Sequence, residues 1–136
     1  MNSKDTNRAK KLAGSDVIYP DLSYRFMEAV FEIHNRLGPG FSEDIYQRAL
    51  TVELEFQEIP FETQKSIIIQ YRDQPIGTYR LDMVIDNKII IELKAVANMN
   101  DLFKQQLVSY LKATGLKLGI LINFGSRRVE FVRVAN

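Results

Sequence analysis

Leu22, Phe26, Val30, Ile33 and Leu37 recur at helical spacing and define one apolar stripe. Asp21 or Ser23 can cap this helix, and Gly38-Pro39-Gly40 stops it. Ser42 can cap a second helix, with Ile45, Ala49, Val52 and Phe56 as its apolar stripe and an end near Ile59-Pro60. The two form a hairpin of helices across the Gly-Pro-Gly turn. The period then changes. Ser66 to Tyr71 is a β-branched run, Asp73-Gln74 falls at a turn, and Ile76 to Ile85 reads as a second strand. Asp86-Asn87 marks another tight turn before a third strand, Lys88 to Val96, so the three strands form an antiparallel meander. Asn100 to Ala113 returns to helical spacing through Leu102, Leu107, Tyr110 and Leu111, and Thr114-Gly115 ends it. Leu116 to Phe124 is almost continuously apolar, as suits a central strand covered on both faces. After Gly125-Ser126, Arg127 to Val134 alternates as an edge strand. The order is ααβββαββ, an α/β (α+β) domain without repeats or linkers.

The 136 residues suit one domain. Residues 1–20 are expected to be a disordered tail, with Lys4, Arg8, Lys10 and Lys11 as solvated charges, and 21–136 the folded domain. With no cysteine, disulfides and thiolate metal sites are excluded. The polar start has no apolar signal core, and no stretch approaches the ~20 apolar residues of a membrane span. A cytoplasmic protein that does not engage a membrane is the expectation. The formal net charge of +1 argues against a generally basic nucleic-acid binder. Any role on nucleic acid must rest on a local site.

The third strand supplies a candidate. Alternation puts Ile90, Glu92, Lys94 and Val96 on one face and Ile91, Leu93 and Ala95 on the other. A carboxylate and an ammonium thus share an apolar layer, which costs several kcal/mol per ion unless each is paired or ligated. Asp82 is likewise set between Leu81 and Met83, and the Asp86-Asn87 turn brings it near Glu92. Two adjacent carboxylates repel, and a divalent cation relieves the repulsion. Oxygen ligands without cysteine favour Mg²⁺ or Mn²⁺ over Zn²⁺. Lys94 would stand two residues away, close enough to act on a water at the metal. The bland alternative is a Glu92–Lys94 ion pair on a wet face, with Asp82 paired to Arg80.

Gly40-Phe41-Ser42-Glu43-Asp44-Ile45-Tyr46 resembles the signature of the GxxExxY family, in the PD-(D/E)XK nuclease-like superfamily. The likeness runs from about Tyr24 to the C-terminus. It takes in His34, Leu37-Gly38-Pro39-Gly40, Glu53-Leu54, Gln64, Tyr71, Tyr79-Arg80-Leu81-Asp82, Glu92-Leu93-Lys94, Gln106 with Tyr110-Leu111, and Gly119 with Leu121 to Phe124. The resemblance implies a restriction-endonuclease-like mixed sheet with helices on both faces. It implies Mg²⁺- or Mn²⁺-dependent hydrolysis of nucleic-acid phosphodiesters. It identifies Asp82 and Glu92 as metal-binding acids, the Leu93 carbonyl as a further ligand and Glu43 as an extra helix-borne acid. It identifies Lys94 as the catalytic lysine and Gln106, with Tyr110 a turn later, as the helix motif. Phe103 departs from the pattern, since many relatives carry His there.

Taken on their own, several of these residues have simpler roles. Glu43 suits the helix dipole, His34 a helix C-terminus, and Gln106 the surface. Tyr71, Tyr79 and Tyr110 read as core-edge aromatics. The rival to an enzyme is a non-catalytic binding or scaffold protein that keeps the fold. A homodimer or a partner protein that carries substrate specificity is also compatible with so compact a chain.

Overall fold

The computed structural model describes residues 18–136. The expected disordered tail lies largely outside the described residues, but its last part does not fit: Ile18 and Tyr19 pack against the core, and Arg133 donates to the Ile18 carbonyl. Helix α1 (Pro20–Leu37) opens on Pro20, whose fixed φ suits a first helical position, and not on a cap from Asp21 or Ser23. Ser23 is buried inside the helix.

Helix α2 (Glu43–Phe56) follows Ser42 and the Gly-Pro-Gly turn. Its expected stripe is wrong. Ile45, Val52 and Phe56 are exposed, and Tyr46, Leu50 and Leu54 are the buried residues. Two apolar stripes compete on this helix, and the tertiary anchor decides. Tyr46 stacks flat on Phe124 at 4.4 Å, and its hydroxyl donates to the Gly38 carbonyl and accepts from the Phe41 N–H.

Strands β1 (Phe61–Tyr71), β2 (Gln74–Ile85) and β3 (Ile89–Lys94) form the expected meander. The first link is the two-residue turn Arg72-Asp73 and the second the three residues 86–88; Arg72, Asp73, Asp86 and Asn87 all take positive φ, which matches the twist of the flanking strands. The first turn falls one residue earlier than expected, and β1 begins five residues before the β-branched run. Helix α3 (Asp101–Thr114) crosses over to β4 (Leu118–Asn123), which pairs parallel to β3. Asn100 caps α3 by accepting from the Leu102 N–H, and Gly115 ends it at φ 74°. Strand β5 (Glu130–Ala135) closes a five-stranded mixed sheet in the order β1-β2-β3-β4-β5.

Helices lie on both faces. Met83, Ile85, Ile89, Ile91, Leu93, Ile120, Ile122 and Phe124 pack toward α1 and α2. Leu81, Val84, Ile90 and Leu121 pack toward Leu107, Tyr110 and Leu111 of α3. Leu81 and Met83 therefore lie in opposite layers, although strict alternation puts residues two apart on one face. The opposite strand does the same: Phe61 belongs with the first layer and Ile67 with the second. Both changes of face straddle Gln64 and Asp82, which drop out of the register between Thr63↔Met83 and Lys65↔Leu81. Gln64 takes φ 51°, a left-handed conformation strained for a non-glycine residue, and its side chain reaches Gln47 of α2 at 3.0 Å.

Candidate active site

That break in the ladder frees the backbone at Asp82 for a different partner. Pairing of β2 with β3 ends at Met83↔Ile91. One step further, the Asp82 N–H donates to Glu92 Oε1 at 3.3 Å, and the Leu93 N–H donates to Asp82 Oδ2 at 2.8 Å. Each carboxylate thus replaces a ladder acceptor for the other strand. Glu92 is buried, Asp82 and Lys94 half-buried.

Burial, joined by the charge of Asp82, pushes Glu92 up to about 8, against which the Asp82 N–H and the Lys94 charge act only partly. Burial also raises Asp82, opposed by the Leu93 N–H and by Lys94. The two acids are therefore a crowded pair holding less than their full negative charge at neutral pH. Glu43, the exposed first residue of α2, lies near enough for its charge to interact with Lys94 and Asp82. Partial loss of water raises its pKa; the charge of Lys94 opposes that rise and the charge of Asp82 adds to it. The bland ion pairs are absent. Among the described residues neither Glu92–Lys94 nor Asp82–Arg80 forms a salt bridge.

The Lys94 ammonium instead sits 4.2 Å from the centroid of the Phe103 ring. Phe103, Gln106 and Tyr110 follow one another at three- and four-residue steps along α3, so they share a face. Tyr110 stacks on Tyr79 of β2 at 4.3 Å. Burial raises the pKa of Tyr79, and the charges of Glu92, Asp82 and Glu43 add to that rise. The tyrosine pair thus lies near enough to the acids to feel their charge, a placement that the core-edge reading missed. The alternation of β2 alone could not show it, because the change of face at Asp82 carries Tyr79 toward α3.

His34 has a structural place. Its Nε2 lies 2.9 Å from the Ser126 carbonyl and its ring stacks on Phe124 at 6.3 Å. Asn123 falls in the Leu121 to Phe124 stretch of the resemblance, but sequence reasoning assigned it no role. It is the buried last residue of β4 and ties the strand ends together, with Oδ1 accepting from Val96 and Gly125 N–H and Nδ2 donating to the Val96 carbonyl, Ser126 and Glu130. A buried Asn just after a run of apolar residues was the available signal.

The profile of the PD-(D/E)XK nuclease superfamily matches residues 20–134. The chain belongs to the PD-(D/E)XK nuclease superfamily. The crystal structure of SSO0001 is similar in fold, with a TM-score of 0.55 and 24% identity over 87% of this chain. The present chain spans 58% of that one. No curated protein matches. The restriction-endonuclease-like architecture expected from the sequence agrees with the observed ααβββαββ order and mixed sheet.

The superfamily implies a divalent metal. Among the described residues no group of three or more His, Cys, Asp or Glu side chains is arranged to hold an ion, so Glu43 does not join Asp82 and Glu92 in a three-acid cluster. The two remaining carboxylates still fit a hard cation. Mg²⁺ commonly takes one or two protein carboxylates and fills its other positions with water and phosphate oxygens. The mutual crowding of the pair is what a bound cation relieves. Among the described residues no helix is long and apolar enough to cross a membrane.

Proposed function

We propose that this superfamily member is a metal-dependent nuclease of the GxxExxY type that hydrolyses phosphodiester bonds of nucleic acid. The observation that carries the reading is the Asp82–Glu92 pair, one buried and one half-buried, each carboxylate bonded to a backbone N–H of the other's strand, with an ammonium nearby that forms no salt bridge. Nothing in a structural role requires that combination, and its retention without a function would be costly.

In this reading Asp82 and Glu92, with the Leu93 carbonyl, hold Mg²⁺ or Mn²⁺. The ion would supply Lewis-acid polarisation of a phosphoryl oxygen. Lys94 stabilises charge that develops on the phosphate and orients the attacking water. Glu43 adds negative charge nearby and Gln106 a hydrogen-bonding group from α3. The Tyr79–Tyr110 stack would offer an aromatic surface to the substrate.

The near-neutral chain, with formal charge +1, supports a second reading as a binding or scaffold protein that keeps the fold without turnover. Cleavage of labelled DNA and RNA in Mg²⁺ and Mn²⁺, by wild type and Lys94→Ala purified identically, separates the two. The nuclease reading expects metal-dependent cleavage that drops about 10²–10³-fold in Lys94→Ala, by analogy with the loss of one transition-state donor. Nucleic-acid affinity should hold. Tight binding with no cleavage by wild type on any substrate overturns it in favour of the scaffold.

A further inference from the structure

Lys94 is fixed in its backbone but not, by the backbone, in its side chain. Its carbonyl accepts from the Phe124 N–H at 2.9 Å, and it pairs with Asn123 across the parallel ladder. Four rotatable bonds lie beyond that anchor, and three acids, Asp82, Glu92 and Glu43, are near enough for their charges to interact with it. A free ammonium in such company should close on the nearest carboxylate. It does not, and the group that it does meet is the face of Phe103.

The ring is itself held in place. Asn100 caps α3 three residues before it, and the Phe103 N–H donates to the Asn100 carbonyl at 3.0 Å. One turn later Leu107 presses on Gly119 of β4 so closely that a Cβ there would meet the leucine side chain at 2.7 Å. Helix α3 therefore sits at a set height above the sheet, and Phe103 has a defined position over the end of β3. An aromatic face attracts a cation through its quadrupole and asks for no charge in return. A contact ion pair would instead neutralise both the lysine and the acid it met.

We propose that Phe103 is a positioning residue. Its ring seats the Lys94 ammonium beside the carboxylate pair, keeping the cation available to a phosphate and the carboxylates available to a metal. The proposal rests on the nuclease reading for its catalytic consequence, while the seating itself is a property of the fold. If Phe103 were only filling space against the α3 layer, leucine would serve nearly as well.

Two variants and two readouts decide this. The first readout is the NMR position of the Lys94 ε-methylene protons in metal-free, lysine-labelled protein, assigned with Lys94→Arg. Wild type and Phe103→Tyr should show these protons shifted upfield by the ring. In Phe103→Leu they should return to the range of the other lysines. The second readout is turnover. Phe103→Leu should lower kcat between about twofold and thirtyfold, the range open to one cation–π contact, with KM and Mn²⁺ affinity unchanged and with Phe103→Tyr restoring the rate. The same ε-proton position in wild type and Phe103→Leu overturns the proposal, as does a leucine variant with full kcat. A wild type that cleaves nothing overturns the nuclease reading alone, and the NMR comparison then decides the seating by itself.

Discussion

The carboxylates of Asp82 and Glu92 each accept from the other's strand: the Asp82 N–H donates to the Glu92 carboxylate, and the Leu93 N–H, next along from Glu92, donates to the Asp82 carboxylate. Two acids that repel one another are thus each held by the other's strand. The arrangement exists because the regular β2–β3 ladder stops at Met83↔Ile91 and the register opposite Gln64 lapses at Asp82. It fixes the orientation of both carboxylates before any ligand arrives, the kind of preorganisation that electrostatic catalysis uses.

Stability of the metal-free protein should fall as pH rises through neutrality. Glu92 has a folded pKa of about 8 against an ordinary 4.5. A raised folded pKa means that the folded state holds the proton more tightly. Its contribution is full below about pH 4.5 and is lost as pH climbs through 8. Asp82 is shifted in the same direction. The melting temperature in chelator should therefore decline between pH 5.5 and 8.5. Glu92→Gln should flatten that decline and be the more stable protein at pH 8.5, by roughly 2–5 kcal/mol. Saturating Mn²⁺ should stabilise wild type most at high pH, where metal no longer competes with the proton. A pH-independent wild-type melting curve would reject the crowded-pair description.

Tyr46→Phe tests how the helix bearing Glu43 is held. The change keeps the stack on Phe124 and removes only the hydroxyl, leaving the Gly38 carbonyl and the Phe41 N–H without that partner. It should cost about 1–2 kcal/mol in urea unfolding. Because those contacts pin the turn leading into Glu43, on the nuclease reading cleavage should also weaken while Mn²⁺ affinity, which that reading assigns to Asp82 and Glu92, stays close to wild type. Equal losses in both would show that α2 reaches the metal ligands after all.

Gly119→Ala should disturb the site from a distance. The new methyl meets Leu107 Cδ1 at 2.7 Å and Cγ at 2.9 Å, and Leu107 is fully buried. Overpacking of this kind costs about 1–3 kcal/mol. Relief by lifting α3 would carry Phe103 and Gln106 away from Lys94. Adding Leu107→Ala should recover part of the loss, giving a favourable coupling energy in a double-mutant cycle. Additive effects of the two changes would mean that Leu107 adapts without moving the helix.

The helices and the antiparallel meander were legible because each rests on local chemistry. Pro20 and Gly38 bound α1, Asn100 and Gly115 bound α3, and Asp86-Asn87 sets the turn that brings β2 beside β3. Period two along Ile89 to Lys94 put Glu92 and Lys94 on the same face as Ile90, and the packing of Ile90 places that face toward α3. Helix α2 was not legible in the same way. Ile45, Val52 and Phe56 made as good a stripe as Tyr46, Leu50 and Leu54 until Phe124, distant in sequence, selected the tyrosine face.

By itself, then, the sequence determined which elements form, their order and which side chains could carry acid and base chemistry, because propensity, capping and turn formation act over a few residues. Tertiary structure alone decided that Leu81 and Met83 part company around Asp82, that Tyr79 joins Tyr110, and that Lys94 rests on Phe103. Those relationships depend on where strands cease to pair and how closely a helix approaches a sheet. Both are settled by packing between residues far apart in the chain, for which no local pattern carries a signal.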